Sequence, residues 1–522
     1  MKRKRLAIIG AGSSGLITLK LALDRLPDWE IVCFEKGATN TGCWGSPYPG
    51  FVSTSTKYTT QFSCFRKWSC EADPSDRPSK ADFFREDEYG RYLEEFVRHF
   101  ELSPHIRLNT GISRVRKDCQ GWSLCKDSDV EEHFDSLVIC TGLAAKAKLL
   151  DTDIPCLHPG NHLVENQTVV ILGGGESAAD IAHRLADLSL GNTVYLSLKN
   201  GIRVSPRYHP IRGVPSDFLR NRLMLSIHPD IRNVIGQKFV EARIRHQELF
   251  EKFFKANPSG GSKSSDTVAK RKHWDAKLTA RAKDKLFNTF HTKSDDFLDD
   301  VAEDRIQIIG SPIEGNYRRY SDFDGTAEME IMPDALVPSI GFTSGIDEIC
   351  QGEIRVRDFH LGVLHVEHDD LFLVGYTRPI IGNIPTISEM QARYVTGIIA
   401  GKVERPPNIT ALHAAGRKRV ESDFPQLNTE TIYPVEMIPY CDGLARIMGT
   451  FPSFRNVGSL RRWMKIQLSP ASTTHYLDED FSPEETGNET VHSPWIITAL
   501  LVVVSILTLP YLLLCKPGRQ GI

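Results

Sequence analysis

The sequence predicts an α/β protein in which two dinucleotide-binding units of Rossmann type follow one another, closed by an apolar C-terminal span. Three observations carry this prediction. The strand-like RLAIIG (5–10) runs straight into the glycine turn GAGSSG and then the helix-forming LITLKLALDRL. The same order returns at Thr168 as TVVILGGGESAADIAHRLADL. Finally, the 21 residues from Trp495 to Cys515 carry no charge.

Each element of the first unit has a physical job. Gly10 permits the tight turn, Gly12 lets a pyrophosphate approach the backbone, and Gly15 lets helix and strand pack closely. The helix start turns its partial positive charge toward the phosphates. After a turn at Pro27-Asp28, the strand WEIVCFE ends in Glu35, 25 residues beyond Gly10. A carboxylate there accepts hydrogen bonds from a ribose diol. In the second unit Gly173 and Gly175 precede Glu176 and Ser177, and Ala178 stands in the third glycine position, a tolerated variation. The same offset from Gly173 lands on Leu198, with Lys199, Arg203 and Arg207 just beyond. Cations at that place attract a ribose 2′-phosphate where a carboxylate would repel it. The first site therefore reads as FAD and the second as NADPH, with hydride passing from nicotinamide to flavin.

Further short apolar strands lie at 134–142, 332–342 and 371–376. IPTISEMQARYVTGIIAG (384–401) reads as a helix, with Ser388 and Gln391 at capping-box spacing and its start directed at the flavin. The segment 214–300, rich in Arg, Lys and aromatic residues, reads as a solvated helix face that also suits an anionic lipid surface. Its PSGGSKSSD reads as a flexible loop.

Composition narrows the function classes. A chain of 522 residues holds more than one domain, and 41% hydrophobic with 25% charged residues is an ordinary globular mixture. The net charge of −3 speaks against a nucleic-acid partner. None of the 11 cysteines forms a CxxC pair, so neither a zinc ribbon nor a disulfide framework is indicated, and a reducing compartment fits. None of the 17 histidines has metal-ligand spacing with a third partner, so no metal is expected.

The span 495–515 would be about 30 Å long as a helix, the thickness of a bilayer core. Trp495 and Tyr511 suit interfacial depth and Lys516 follows, so a tail anchor in membrane lipid is expected. MKRKR followed by LAIIGAGSSGLITL imitates a signal peptide, but these residues are needed for the first strand, turn and helix. The catalytic domains are therefore expected on the cytosolic side, at the endoplasmic reticulum in a eukaryotic cell. The acids at 478–485 point the other way, but large domains cross largely regardless of flanking charge.

With these residues in view, the chain resembles the membrane-anchored flavin-containing monooxygenases, class B flavoproteins. GAGSSGL, Glu35, GCWG (42–45), STSTKYTTQFSCF (53–65), EYGRYLEEFVRHFEL (88–102), GGGESAADIA, LSLKNGIRVSPR, IPTISEMQAR and the terminal anchor occur in the family's order. The resemblance implies a discontinuous FAD domain, 1–155 and 331–450, with an NADPH domain at 156–330 inserted in it. A C-terminal region and linker, 451–494, would lead to the anchor. It implies that NADPH reduces FAD, that O2 adds to give a hydroperoxyflavin, and that this oxygenates an amine nitrogen or sulfide of a small molecule. It leaves room for a homo-oligomer.

Carried over by residue, Gly10, Ala11, Gly12, Ser13 and Ser14 would hold the FAD pyrophosphate and Glu35 its ribose. Cys43 and Trp44 would line the flavin, and Ser53, Thr54 and Ser55 would lie beside it. Ser197, Leu198, Lys199 and Asn200, with Arg203, would meet the NADPH 2′-phosphate. The chain departs from the family at two places. Thr54 replaces the Asn three residues before Lys57, and a hydroxyl cannot present an amide's separate donor and acceptor. The FxGxxxH fingerprint before the second glycine motif is missing from LDTDIPCLHPGNHLVENQ. The alternatives are an uncoupled NADPH oxidase releasing hydrogen peroxide, a Baeyer–Villiger or N-hydroxylating monooxygenase, and a non-catalytic membrane-tethered flavoprotein.

Overall fold

The computed structural model describes residues 3–45, 48–68, 82–126, 131–158, 162–209, 214–246, 249, 264–282, 285–380, 382–470, 472–477, 499 and 502–503. Two parallel-centred sheets organise them. The first takes, in spatial order, the strands Phe359–His360, Leu364–His365, Leu371–Leu373, Ser136–Ile139, Arg5–Ile9, Glu30–Phe34 and Ile106–Arg107. Its centre is parallel, Ala7 lying opposite both Val32 and Leu137. Leu6, Ala7, Ile8, Leu137, Val138 and Ile139 are fully buried, as strands covered on both faces require.

The second sheet takes Glu328–Glu330, Asn316–Asp322, Ile306–Ile313, Thr193–Ser197, Thr168–Leu172 and Ala335–Pro338. Strand Ala335–Pro338 pairs in parallel with Thr168–Leu172. The chain thus re-enters the first sheet only after this strand, later than the boundary at 331 read from the sequence.

Helices place the glycine turns. Helix Ser13–Arg25 follows the first strand and packs along helix Ile384–Ile399. Near their starts Ser14 Oγ lies 2.8 Å from Ser388 Oγ. Further along, Arg25 donates to Arg393 O at 2.8 Å and Thr396 Oγ1 at 3.1 Å. The two helices therefore run in the same direction, and both positive ends open at the same edge of the sheet. The capping box expected at Ser388 and Gln391 is not where the second helix begins. Asn383 is the N-cap, its side chain accepting from Thr386 N at 2.8 Å, with Pro385 in the first turn.

IPTISEMQAR is instead an internal knot. Gln391 accepts from Gly375 N and donates to Thr377 Oγ1 and Tyr440 Oη, at 3.0, 2.7 and 2.9 Å. Glu389 accepts from Ser63 and pairs with Arg393, all three buried.

The basic segment is less solvated than its composition implied. Arg222 is buried against Asp442, and buried Arg232 pairs with Glu436, so both tie this segment to helix Met437–Ile447 and the residue before it. Part of the expected loop, 258–263, lies outside the described residues. So does the apolar span 495–515 apart from Ala499, Val502 and Val503, which are helical. Among the described residues no helix is long and apolar enough to cross a membrane.

Candidate active site

The first glycine turn forms a cradle that the neighbouring backbone enforces. Gly10 has φ +99°, and a Cβ there would stand 2.7 Å from Cys140 O. A Cβ on Gly15 would overlap the Gly10 carbonyl. At Gly12 it would meet only Gly42 Cα, at 3.6 Å. The turn Gly42–Trp44 thus lies against the glycine loop, which brings Cys43, exposed, beside it. Trp44 packs edge-on to Tyr89, with ring centroids 4.8 Å apart, and so serves the aromatic core as well.

The start of helix Ser13–Arg25 carries no side-chain cap and no acid in its first turn, although Ser13 and Ser14 are buried. An uncapped, buried helix start offers its N–H groups to an anion. Glu35 closes the cradle, Oε2 accepting from Ala11 N at 2.8 Å and Oε1 from Gly37 N at 2.7 Å.

The second turn repeats the design. Gly173 has φ +119° and abuts Ser339 O, while a Cβ on Gly175, the N-cap of helix Glu176–Leu185, would meet nothing within 4 Å. Ala178 is fully buried, as a close helix–strand contact demands, and Ser177 is half-buried. The residues after strand Thr193–Ser197 sort themselves by direction. Lys199 is exposed and Asn200 half-buried. Ser197 is buried and donates to Gly310 O at 2.7 Å, and Leu198 is in the core. Arg203 departs from the expectation: it is buried and Nη1 donates to Gln237 Oε1 at 2.9 Å. Arg207 turns inward as well. Among the three cations singled out at this strand end, Lys199 alone projects into solvent.

Between the two cradles lies strand Val52–Thr56, held from the second sheet's side. Arg207 donates to Val52 O at 2.9 Å and Ser53 O at 3.2 Å, and approaches Asp180 at 3.4 Å. Lys293 donates to Thr54 O at 2.5 Å. Asp217 Oδ2 accepts from Thr56 N and Oγ1, both at 2.9 Å, and from Thr59 Oγ1 at 3.1 Å.

Strand alternation divides the side chains. Ser53 Oγ donates to Ser55 O at 2.8 Å and Ser55 Oγ to Gly382 O at 3.2 Å. The Thr54 hydroxyl has no hydrogen-bond partner among the described residues. Burial raises the Glu176 carboxyl, opposed by Lys293, Arg207 and Arg378. Burial beside Arg220 pushes His291 down to about 3, so it is neutral at working pH. A cleft opens beside this strand, lined by Ser55, Thr59, Asp217, Arg220, Asn383 and Met437 among others.

Residues 3–281 match the family model described as flavin-binding monooxygenase-like. The chain belongs to this family. It is 25% identical over 481 residues to a 4-hydroxybenzoate brominase (decarboxylating) of Pseudoalteromonas luteoviolacea, covering 86% of this chain and 84% of that protein. It is 24% identical over 490 residues to dimethylaniline monooxygenase [N-oxide-forming] 2 of Rattus norvegicus, with the same coverage. Cyclohexanone monooxygenase from Rhodococcus sp. Phi1 bound to NADP⁺ has a similar fold, with TM-score 0.56 at 16% identity over 86% of this chain and 98% of that one.

This flavin-binding monooxygenase is an oxidoreductase whose cofactors are FAD and NADPH. Its residues fit them: two uncapped helix starts, and two glycines, Gly12 and Gly175, whose Cβ positions are free of tight protein contacts. Sequence reasoning gave Arg207 a different role and missed Lys293 and Asp217, which lie more than 150 residues from the strand they hold, and Arg220 in the cleft wall. Asn383 was legible, since Asn followed by Pro two residues later is an N-cap signal.

Proposed function

We propose that this protein oxygenates soft nucleophilic nitrogen or sulfur atoms of small molecules. One substrate, O2, NADPH and a proton would give the oxygenated product, NADP⁺ and water. The observation that carries the reading is the single strand Val52–Thr56 set between two nucleotide cradles, with a cleft at its edge. Bound FAD supplies the hydride-accepting and oxygen-activating chemistry.

The protein's own part is placement. Glu35 and the first glycine turn hold one nucleotide, and Lys199 with the second turn holds the other. The Asn383-capped helix directs its positive end toward the cleft. The Thr54 hydroxyl, without a partner among the described residues, offers one hydrogen bond to the bound cofactors. No side-chain nucleophile is required, and a soft atom that attacks for itself needs only orientation and exclusion of water. The rat relative's name, N-oxide-forming, supports this choice over carbonyl substrates.

The test is anaerobic reduction by NADPH, followed by ¹⁸O2 with a tertiary amine or a thioether. One ¹⁸O atom per product molecule is expected. Flavin that bleaches with NADPH yet delivers its oxygen only as peroxide would refute oxygen transfer.

We further propose that 495–515 tethers the protein to a membrane, with the domains on the cytosolic side, at the endoplasmic reticulum in a eukaryotic cell. Helices Phe454–Val457 and Leu460–Leu468, shortly before that span, support this reading. They expose Phe454, Leu460 and Met464 beside the exposed Arg455 and Arg461, an apolar and cationic face suited to a lipid surface.

A further inference from the structure

The cleft beside strand Val52–Thr56 contains a cation with no direct ion pair among the described residues. Its walls are apolar over much of their extent, with Leu225, Phe287, Ile380, Met437 and Ile438. Two carboxylates and one guanidinium line it as well. The carboxylates are compensated: Glu436 by the ion pair with Arg232, and Asp217 Oδ2 by the three donors of Thr56 and Thr59. Arg220 is not. It is half-buried over the Phe287 ring, 5.6 Å from its centroid, and among the described residues no carboxylate lies within 4 Å of it. Burial, and then the neighbouring Arg232, bring it down to about 9, opposed at longer range by Glu436 and Asp217. Asp217 Oδ1 is buried with no donor among the described residues.

A partly desolvated guanidinium with no carboxylate in direct contact keeps its charge-assisted hydrogen bonds to offer to a guest. The apolar wall does not compensate it, and Phe287 gives only a cation–π contact. A carboxylate guest would, through a charge-assisted and preferably bidentate bond. Asp217 Oδ1 asks in turn for an N–H or O–H.

We propose that Arg220 and Asp217 form a two-point site for a small amino or hydroxy acid, the carboxylate on Arg220, its donor on Asp217 Oδ1 and its apolar body against Phe287 and Met437. This rests on the oxygenation reading, since it names the substrate class of the same cleft. Arg220 and Asp217 set specificity; neither is asked to take part in the oxidation.

The test uses oxidised holoenzyme with NADP⁺ and measures binding without turnover, by titration calorimetry or perturbation of the flavin absorbance. The probes are methionine, methioninamide, which lacks the carboxylate, and 4-(methylthio)butanoate, which lacks the ammonium group. Methionine should bind about tenfold or more tightly than methioninamide. Arg220→Gln should remove that preference and Arg220→Lys should keep part of it, with FAD content and thermal unfolding followed in each.

Equal binding of methionine and methioninamide by the unsubstituted enzyme, or a preference that survives Arg220→Gln, overturns the proposal. So does the absence of saturable methionine binding up to about 10 mM, the weak end of specific recognition. Equal binding of methionine and the deaminated acid removes Asp217 from the site. Tight acid binding without sulfur oxygenation on adding NADPH and O2 would instead refute the oxygenation reading and leave the acid site standing.

Discussion

Gly12→Ala separates what the first glycine turn does for the fold from what it does for FAD. Gly12 is the N-cap of its helix at φ −75° and ψ −170°, extended backbone that alanine adopts freely. The added methyl would meet only Gly42 Cα, at an ordinary 3.6 Å. Without cofactor the variant should be as stable as the parent or more so by about 0.4–1 kcal/mol, from the less flexible unfolded chain. With FAD the methyl stands where the pyrophosphate must approach, and an extra methyl in a filled contact costs about 1–3 kcal/mol. FAD affinity should fall roughly 5- to 150-fold.

Gly15→Ala makes the contrast. Its methyl would overlap the Gly10 carbonyl oxygen and lie 2.9 Å from its carbon, both main-chain atoms, so the fold itself should weaken. The assay is thermal unfolding of deflavinated protein beside FAD binding by fluorescence quenching. If Gly12→Ala binds FAD like the parent, the pyrophosphate does not approach that backbone and the cradle is misassigned. If it destabilises the deflavinated protein, the claimed free space is not there.

Lys199→Ala should raise KM for NADPH and leave NADH nearly unchanged; equal use of both nucleotides by the parent would sink the 2′-phosphate assignment. Thr54→Asn should lower the peroxide released per NADPH consumed, since one added hydrogen bond is worth about 1–3 kcal/mol, or roughly 5- to 150-fold in a competing rate. His183 is raised above its ordinary 6.5 first by its hydrogen bond to Asp300, 2.6 Å away. Its contribution is therefore complete below 6.5 and is lost as pH rises through the raised value, so His183→Gln should flatten the fall in stability over that window. Deleting 495–522 should release the protein from membranes with FAD still bound; a truncated protein that still pellets in high salt would place membrane binding elsewhere, as on the Phe454–Leu460 face.

The parts legible in the sequence are those whose physics is local. A glycine at a forced turn, an apolar strand and an acid at the next strand's end all sit within one βαβ unit, and Gly10, Gly15 and Glu35 stand in the geometry their spacing predicts. What failed was direction. Lys199, Arg203 and Arg207 read alike as cations after a strand, yet Arg203 meets Gln237 and Arg207 meets the main chain of the distant strand Val52–Thr56. Spacing says nothing about whether a long side chain turns outward or inward. Ser388 and Gln391 had the capping-box interval but lie inside the helix, because Asn383 with Pro385 offers the better cap. The cleft was invisible because its charged lining, Asp217 and Arg220, is brought to Ser55 and Thr59 only by the tertiary fold.

The way strand Val52–Thr56 is fastened explains how position 54 can vary. Arg207 holds the oxygens of Val52 and Ser53, Lys293 holds that of Thr54, and Asp217 takes the Thr56 N–H. All four are main-chain groups, which every residue carries, and the Thr54 side chain takes no part in the docking. An exchange of Asn for Thr there can alter what the strand offers to the bound cofactors without loosening the strand's fastening. Thr54→Asn should accordingly leave thermal unfolding unchanged while shifting coupling. A change in stability as large as the change in coupling would mean that the side chain supports the strand after all. Arg207→Ala should do the reverse, because it removes two main-chain bonds and one neighbour of Asp180, and so loosens the strand with Thr54 intact.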